Sequence, residues 1–225
     1  MKSKTFYLKL FNLAGNLTEQ QLHDLSANMI ENQARKGQTV YAKGGEKKVL
    51  LLISGKVKIS WISSSGDEMI KELVVPGDVF GDILPGYEDP NYEYAEVISA
   101  RVIYYVIEQK QLDSLMRSNY ILTMNYMAKL CEKLVGLENR YINMITKDVK
   151  SRLLYCFREW ARKEGKRLGD KIVVKNSLTH RDLANLVSAS RQTVTAILNK
   201  LKEAGEINYN RRKIEFSPQM FGNQI

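Results

Sequence analysis

The chain has 225 residues, 44% of them hydrophobic and 26% charged, with 14 Gly and only 4 Pro. That is enough apolar material for a sizeable core, it exceeds a single domain of roughly 100 to 200 residues, and it lacks the bias of a fibrous or disordered protein. The charge is uneven: residues 1–148 hold 18 Lys and Arg against 18 Asp and Glu, whereas 149–225 hold 16 against 7, so the whole excess of +9 lies in the last third. A concentrated basic segment beside a neutral one suits neutralisation of nucleic-acid phosphates; a basic face kept for solubility is the plainer alternative.

The longest apolar runs, Val49 to Ile53 and Val102 to Ile107, fall far below the roughly 18 residues that span a bilayer, so no membrane helix is expected. The apolar stretch Phe6 to Leu13 is broken by Lys9 and has no small-residue cleavage site after it, which argues against export. Cys131 and Cys156 are lone cysteines in helical segments, expected as reduced, buried thiols of a cytoplasmic protein.

In chain order, Thr18 to Glu31 is expected as a short amphipathic helix, with Thr18 and Gln21 as a capping box. From Gln38 to Glu108 short β-like runs follow: Val40 to Ala42, Val49 to Ile53, Val57 to Ile62, Met69 to Val75 and Val97 to Ile107. Turn residues separate them at Gly44-Gly45, Gly55, Ser65-Gly66, Pro76-Gly77 and Pro85-Gly86, and the glycines at 45, 55, 66 and 77 recur every 10 or 11 residues. Short strands at regular spacing indicate a sandwich, barrel or roll of antiparallel pairs.

Gln109 to Ile145 then reads as one long helix. Met127, Leu130, Leu134, Leu137, Tyr141 and Met144 are spaced alternately 3 and 4 apart, the repeat of a two-helix seam. A second stripe, Met124, Cys131, Val135, Ile142 and Ile145, widens the apolar face. A parallel homodimer explains two stripes; burial within one subunit is the alternative. The helix is expected to stop near Thr146-Lys147, with a hinge there and Asp148 as N-cap of a helix whose inward residues are Val149, Leu153, Phe157, Trp160 and Ala161.

The sharpest pattern runs from Thr179 to Gly205. Thr179 and Asp182 have capping-box form ahead of Leu183, Leu186 and Val187; Ser188-Ala189-Ser190 interrupts; Ser190 caps a second helix with Val194, Ile197, Leu198 and Leu201 inward, ending before Gly205. Two short helices joined by a three-residue turn form a helix-turn-helix. Its outward face presents Arg191, Gln192, Thr195 and Asn199. Arg191 and Gln192 stand at the N-terminal end that enters a major groove, where Arg suits guanine and Gln suits adenine. Ile207 to Tyr209 and Lys213 to Phe216 flank Asn210-Arg211-Arg212 as a hairpin with a basic tip, a wing.

This order of parts resembles the Crp/Fnr family of transcription regulators over nearly the whole chain. Ser190-Arg191-Gln192-Thr193-Val194 through Ile197-Leu198 and Leu201 is similar to that family's S-R-x-T-V-x-R-x-L-x-x-L recognition helix. Gly45-Glu46, Ile53-Ser54-Gly55, Gly66 and Pro76-Gly77-Asp78-Val79-Phe80-Gly81 resemble its β-roll. The resemblance implies an α+β protein divided into a cyclic-nucleotide-binding-like β-roll sensor domain (1–118), a central dimerisation helix (119–147) and a winged helix-turn-helix (148–225). It implies that Arg191 and Gln192 read bases, that Thr179, Arg181, Ser190, Thr193 and Arg212 hold phosphates, and that the partners are a pseudo-palindromic double-stranded DNA, a second copy of the chain and RNA polymerase. Ala196 stands where the family usually has a second Arg, and Gln192 where Glu is common, so the operator is expected to differ from the usual half-site.

The effector pocket departs further. Members that bind cyclic nucleotides carry G-E-L and then R-S-A or R-T-A, the Arg pairing with the cyclic phosphate; here the matching residues are Gly81-Asp82-Ile83 and Glu93-Tyr94-Ala95. Seven acidic residues and no Lys or Arg lie between Lys71 and Arg101. Repulsion between Glu93 and a phosphate disfavours cyclic AMP in the usual mode. The helix residues Leu137 and Glu138 replace the hydroxyls that meet the base, and Leu134, Tyr92 and, with it, Tyr87 are further lining candidates. Two cysteines 25 residues apart disfavour an iron-sulfur cluster, and His23 and His180 are poorly placed for haem. No metal site is expected. Other effectors, or none, remain open. Catalysis is not expected, because no histidine falls between residues 24 and 179 and no catalytic fingerprint occurs; a nonspecific architectural DNA binder is the remaining alternative.

Overall fold

The computed structural model describes residues 4–10, 13–63, 66–83, 92–217 and 219–221. It divides into two units, 1–137 and 138–225. The first holds helices α1 (Lys4–Leu10) and α2 (Glu19–Ala27) and strands β1 (Ile30–Arg35), β2 (Thr39–Ala42), β3 (Lys48–Ser54), β4 (Val57–Ile62), β5 (Glu68–Val74), β6 (Val79–Gly81), β7 (Tyr92–Val97) and β8 (Arg101–Glu108). Helix α3 (Gln109–Ser118) follows, and α4 (Tyr120–Thr146) runs on through the boundary. The second unit holds α5 (Val149–Glu164), β9 (Lys166–Leu168), β10 (Lys171–Lys175), α6 (His180–Val187), α7 (Arg191–Glu203), β11 (Ile207–Tyr209) and β12 (Lys213–Phe216).

The strands of the first unit form two antiparallel sheets, ordered β1-β8-β3-β6 and β2-β7-β4-β5. Leu50, Leu52, Phe80 and Val102 of one sheet pack with Val57, Ile59, Val74, Ala95 and Val97 of the other, which closes the expected roll. On the outer face of the first sheet, Val49, Leu51, Tyr105 and Ile107 pack with Leu8, Leu22, Leu25, Leu112, Leu122 and Tyr126 of the helices. That double burial is why Val49 to Leu52 is a continuous apolar run: alternate residues enter two different cores. In the turn between β3 and β4, Gly55 has φ +86°, and a Cβ there would lie 2.4 Å from the Arg101 carbonyl oxygen, so only glycine fits.

Several boundaries differ from expectation. The helix that begins at Thr18 has its capping box but ends at Ala27, closed by Asn28; Ile30 and Glu31 belong instead to β1, which pairs with β8. Ile-Glu-Asn-Gln-Ala-Arg has too few apolar residues to announce a strand, and pairing supplies its order. The run Val97 to Ile107 is a corner rather than one strand, with β7 and β8 in different sheets. The helix expected over 109–145 breaks at Asn119, which has extended backbone and whose Oδ1 accepts the Leu122 N–H at 3.0 Å, an N-cap that restarts the helix as α4. Cys131, expected buried, is exposed. Cys156 is half-buried, and the burial of its sulfur pushes its thiol up to about 11. Ser65, Pro85, Gly86 and Tyr87, and with them Glu88 and Asp89, lie outside the described residues.

Candidate nucleic-acid interface and effector pocket

In the second unit, β11-β12-β10-β9 form one antiparallel sheet, and Phe157 of α5 packs on Phe216 of β12 with ring centroids 5.3 Å apart. Asp148 caps α5 as expected, its Oδ1 accepting the Ser151 N–H at 2.8 Å; hydrogen bonding from the Ser151 side chain first, and from its backbone second, holds the carboxyl below the usual range. The two reading helices are set by their caps. Thr179 Oγ1 accepts the Asp182 N–H at 3.1 Å while Asp182 Oδ2 accepts the Thr179 N–H at 2.8 Å, the reciprocal box that starts α6. Ser188 ends it with φ 50°, and Ser190 Oγ accepts the Thr193 N–H at 3.0 Å to start α7. Leu183, Leu186, Val194, Leu198 and Leu201 are buried.

Arg191, Gln192, Thr193, Ala196 and Asn199 are exposed along α7, as are Thr179, Arg181, Ser190 and Arg212. Arg191 and Gln192 occupy the first turn of the helix, and neither side chain forms a hydrogen bond among the described residues, so both remain available to an external partner. Thr195 and Asn199 differ. Thr195 Oγ1 donates to the Arg191 carbonyl at 2.8 Å and stands 2.9 Å from His180 Nδ1, and Asn199 Oδ1 accepts from the Tyr209 hydroxyl at 3.3 Å. These two tie α7 to α6 and to the wing rather than facing outward unengaged.

At the wing tip Asn210 Oδ1 accepts the Arg212 and Lys213 N–H groups at 2.7 and 3.0 Å, and Asn176 Nδ2 donates to the Asn210 carbonyl at 2.9 Å. This local hydrogen bonding fixes a tight turn that holds Arg211 and Arg212 exposed. Asn176 and Arg140 carry no signal in the sequence, and His180 is weighed there only as a haem ligand. Burial and, after it, the Arg191 charge lower the pKa of His180, and its ring packs against Tyr209 at a tilt of 58° with centroids 5.5 Å apart. Arg140, near the end of α4, donates to the Leu186 carbonyl at 2.9 Å, and so clasps the C-terminus of α6.

The pocket candidates separate onto two faces. Gly81 (φ +94°) leads into Asp82, whose Oδ1 accepts from the Tyr41 hydroxyl at 3.0 Å and whose Oδ2 accepts the Lys48 N–H at 3.0 Å. The Ile83 carbonyl accepts from the Tyr126 hydroxyl at 2.8 Å. Glu93 and Ala95 alternate with Tyr92 and Tyr94 along β7, and Ala95 lies in the roll core. Glu93 is therefore inward, 7% exposed, and paired with Lys71. Tyr92 and Tyr94 are on the opposite face, where the Tyr94 hydroxyl, Ser60 Oγ and Lys58 Nζ all converge on Glu68 Oε1 at 2.7 to 3.0 Å. Burial would raise Glu68, but these hydrogen bonds outweigh it and its carboxyl lies below the usual range. The two tyrosines do not share a pocket with Glu93. Leu134, Leu137 and Glu138 are exposed on α4.

Along α4, Leu122 and Tyr126 are buried and Leu130 packs on the same cluster, while Met144 is half-buried with its sulfur 3.3 Å from Arg152 Nη1. Of the residues expected in the seam, Met127, Leu134, Leu137 and Tyr141 are exposed, at 49 to 66%, and Leu130 and Met144 are not. Met124, Cys131, Val135, Ile142 and Ile145 are exposed beside them. No helix among the described residues is long and apolar enough to cross a membrane.

Residues 31–119 match a family model described as a cyclic nucleotide-binding domain, and residues 151–217 match one described as a Crp-like helix-turn-helix domain. The chain is 27% identical over 184 residues to a CRP-like cAMP-activated global transcriptional regulator of Mycobacterium tuberculosis, covering 81% of each. It is 25% identical over 188 residues to a global nitrogen regulator of Nostoc sp., covering 80% of this chain and 81% of that one. In fold it is similar to FixK2 from Bradyrhizobium japonicum, with a TM-score of 0.74 at 18% identity over 85% of this chain and 93% of that one.

Proposed function

The chain belongs to the Crp/Fnr family of transcription regulators, and from that premise we propose that it is a cytoplasmic homodimer that reads a pseudo-palindromic DNA site and acts on RNA polymerase. The proposal divides it into a β-roll domain (1–118), a dimerisation helix (119–147) and a DNA-binding head (148–225). Like its relatives, it is a regulator and not an enzyme. The observation that carries specific readout is the first turn of α7: Arg191 and Gln192 stand exposed at a side-chain-capped helix start, inside the segment that holds all the excess positive charge. Two such helices reach successive major grooves when half-sites lie about one turn apart. Thr179, Arg181, Ser190, Thr193 and Arg212 then lie on phosphates, and Thr195 and Asn199 hold the helix against its neighbours.

The exposed apolar line of α4 supports the homodimer. The inward, ion-paired Glu93 supports a roll that does not take cyclic AMP in the usual way, because a phosphate there meets a carboxylate. The relative named as cAMP-activated favours a second reading, a nucleotide-gated regulator with an altered pocket. Selection of binding sites from random double-stranded DNA, at fixed salt with and without cyclic AMP, separates the two. An inverted repeat enriched equally in both arms is expected; enrichment only with the nucleotide supports the second reading, and enrichment of no sequence supports a nonspecific architectural binder.

A further inference from the structure

In β5, Ile59 of β4 faces Glu72 but the next residue, Ser60, faces Ile70. Lys71 is thus an extra residue in the strand, a β-bulge that lets consecutive side chains reach the same side of the sheet. Their partners lie in opposite directions. The Lys71 ammonium pairs with the Glu93 carboxylate of β7, and since β4 lies between β5 and β7, the pair crosses over a strand at the level of Trp61, which is itself opposite Glu93. Glu72 accepts from Lys133 Nζ of α4 with both oxygens, at 2.7 and 2.8 Å. Lys133 and Glu72 are 17% and 30% exposed and Glu93 and Lys71 9% and 45%, so both pairs are partly screened by solvent, the one that reaches α4 less than the one within the sheet.

We infer that Glu72 and Lys133 form a built-in brace that ties the roll to α4 in the absence of any effector, with Glu93 held by Lys71 in the neighbouring position of the sheet, so that DNA binding by this chain does not wait on a ligand to join the two elements. This rests on the DNA-regulator reading above and specifies how that regulator is controlled. An effector shifts a conformational equilibrium only through contacts that differ between states. Here Glu93 on the roll and Lys133 on the helix each already hold a partner from β5. Glu93 is spent on Lys71, and Lys133, the α4 cation one turn before Leu137, is spent on Glu72.

The test uses the full chain as Glu72→Lys, Lys133→Glu and the double reversal, with no nucleotide present. Amide hydrogen exchange over residues 129–137 is read beside affinity for the selected DNA site. Each single reversal is expected to speed exchange in that segment and to weaken specific DNA binding, both about tenfold, and the double reversal to restore both to within about threefold of the parent. A variant that merely misfolds loses protection across Val57–Ile62 as well; Glu72→Gln, which removes one charge without reversing it, then decides. Unchanged exchange in the single variants, no rescue in the double, or a slowing of parental exchange by cyclic AMP would each overturn the brace. Failure of the parent to prefer any DNA sequence strikes the regulator reading instead, and the exchange result still judges the brace.

Discussion

Arg191→Ala is the most direct probe of readout, because the structure makes it a clean deletion. Arg191 is the first residue of α7 and exposed, and the helix start is held by Ser190, not by the arginine. Truncation therefore leaves the cap and the buried face of Val194, Leu198 and Leu201 intact. On the proposed readout it removes one bidentate base contact per half-site, about 1 to 3 kcal/mol, or roughly 5- to 150-fold in affinity at 1.4 kcal/mol per decade. With both half-sites altered, the factors multiply. Random DNA loses only the phosphate attraction of one charge per protomer, so the ratio of specific to nonspecific binding falls. Arg212→Ala is the counterpart. Arg212 sits on the wing tip, where its backbone N–H, not its side chain, is held by Asn210; its loss is expected to weaken all sequences alike and to flatten the log–log salt slope by about 0.9 per protomer. Fluorescence anisotropy on the selected site and on a scrambled duplex, at a series of salt concentrations, reads both quantities. A specificity ratio unchanged by Arg191→Ala would refute the placement of α7 in the groove.

Leu134 is 57% exposed in the single chain, so Leu134→Arg is expected to leave the fold intact while facing two like charges across the seam; light scattering should read a monomer, and an unchanged dimer mass refutes the seam. Ser188 holds φ 50° without being glycine, so Ser188→Gly should relieve strain, partly offset by a more flexible unfolded chain, and stabilise the head by about 0.5 kcal/mol; a lower melting temperature would count against this. The folded-state pKa of His180 lies below its ordinary value, through burial first and Arg191 second. Its contribution is thus fully present above the unfolded pKa of about 6.5 and is lost as pH falls through the folded value. Acid titration of the melting temperature should show that loss in the parent and a smaller one in Arg191→Ala; equal losses would mean the two charges do not interact.

The head was legible because its signals are local. Thr179 with Asp182, and Ser190 with Thr193, are caps whose donors and acceptors lie three residues apart, and the apolar spacing of α6 and α7 needs no distant partner to be read. The roll was legible as a class, through its turn glycines, but not in its pairing. β1 carries almost no apolar alternation and exists because β8 lies beside it. The corner between β7 and β8 is invisible in a run of residues that are apolar on both sides of it. The pocket candidates divide for a related reason: Tyr92, Glu93, Tyr94 and Ala95 are adjacent in sequence but alternate in space, so a strand sends Tyr94 to Glu68 and Glu93 to Lys71. Charge counting missed Lys71 because the cation lies at the edge of the acidic stretch and reaches back across β4.

The seam shows how a long-range contact resets the phase of a helical pattern. By spacing alone, Leu130 and Leu134 are equivalent members of one stripe. In the structure Leu122, Tyr126 and Leu130 face the roll core and Lys133 reaches Glu72, and that fixes which side of α4 is left over. One exposed line opposite that contact runs Met124, Met127, Cys131, Leu134, Glu138, Tyr141 and Ile145, still alternating 3 and 4, with Cys131, Glu138 and Ile145 in the places expected for Leu130, Leu137 and Met144, while Val135, Leu137 and Ile142 are exposed beside it. In a parallel pair this line is apolar up to Leu134 and then places Glu138 against its own copy, where like charges oppose close approach. Glu138 is also the first residue of the second unit. A proposed dimer on this line would therefore pack least closely at Glu138, between Leu134 and Tyr141.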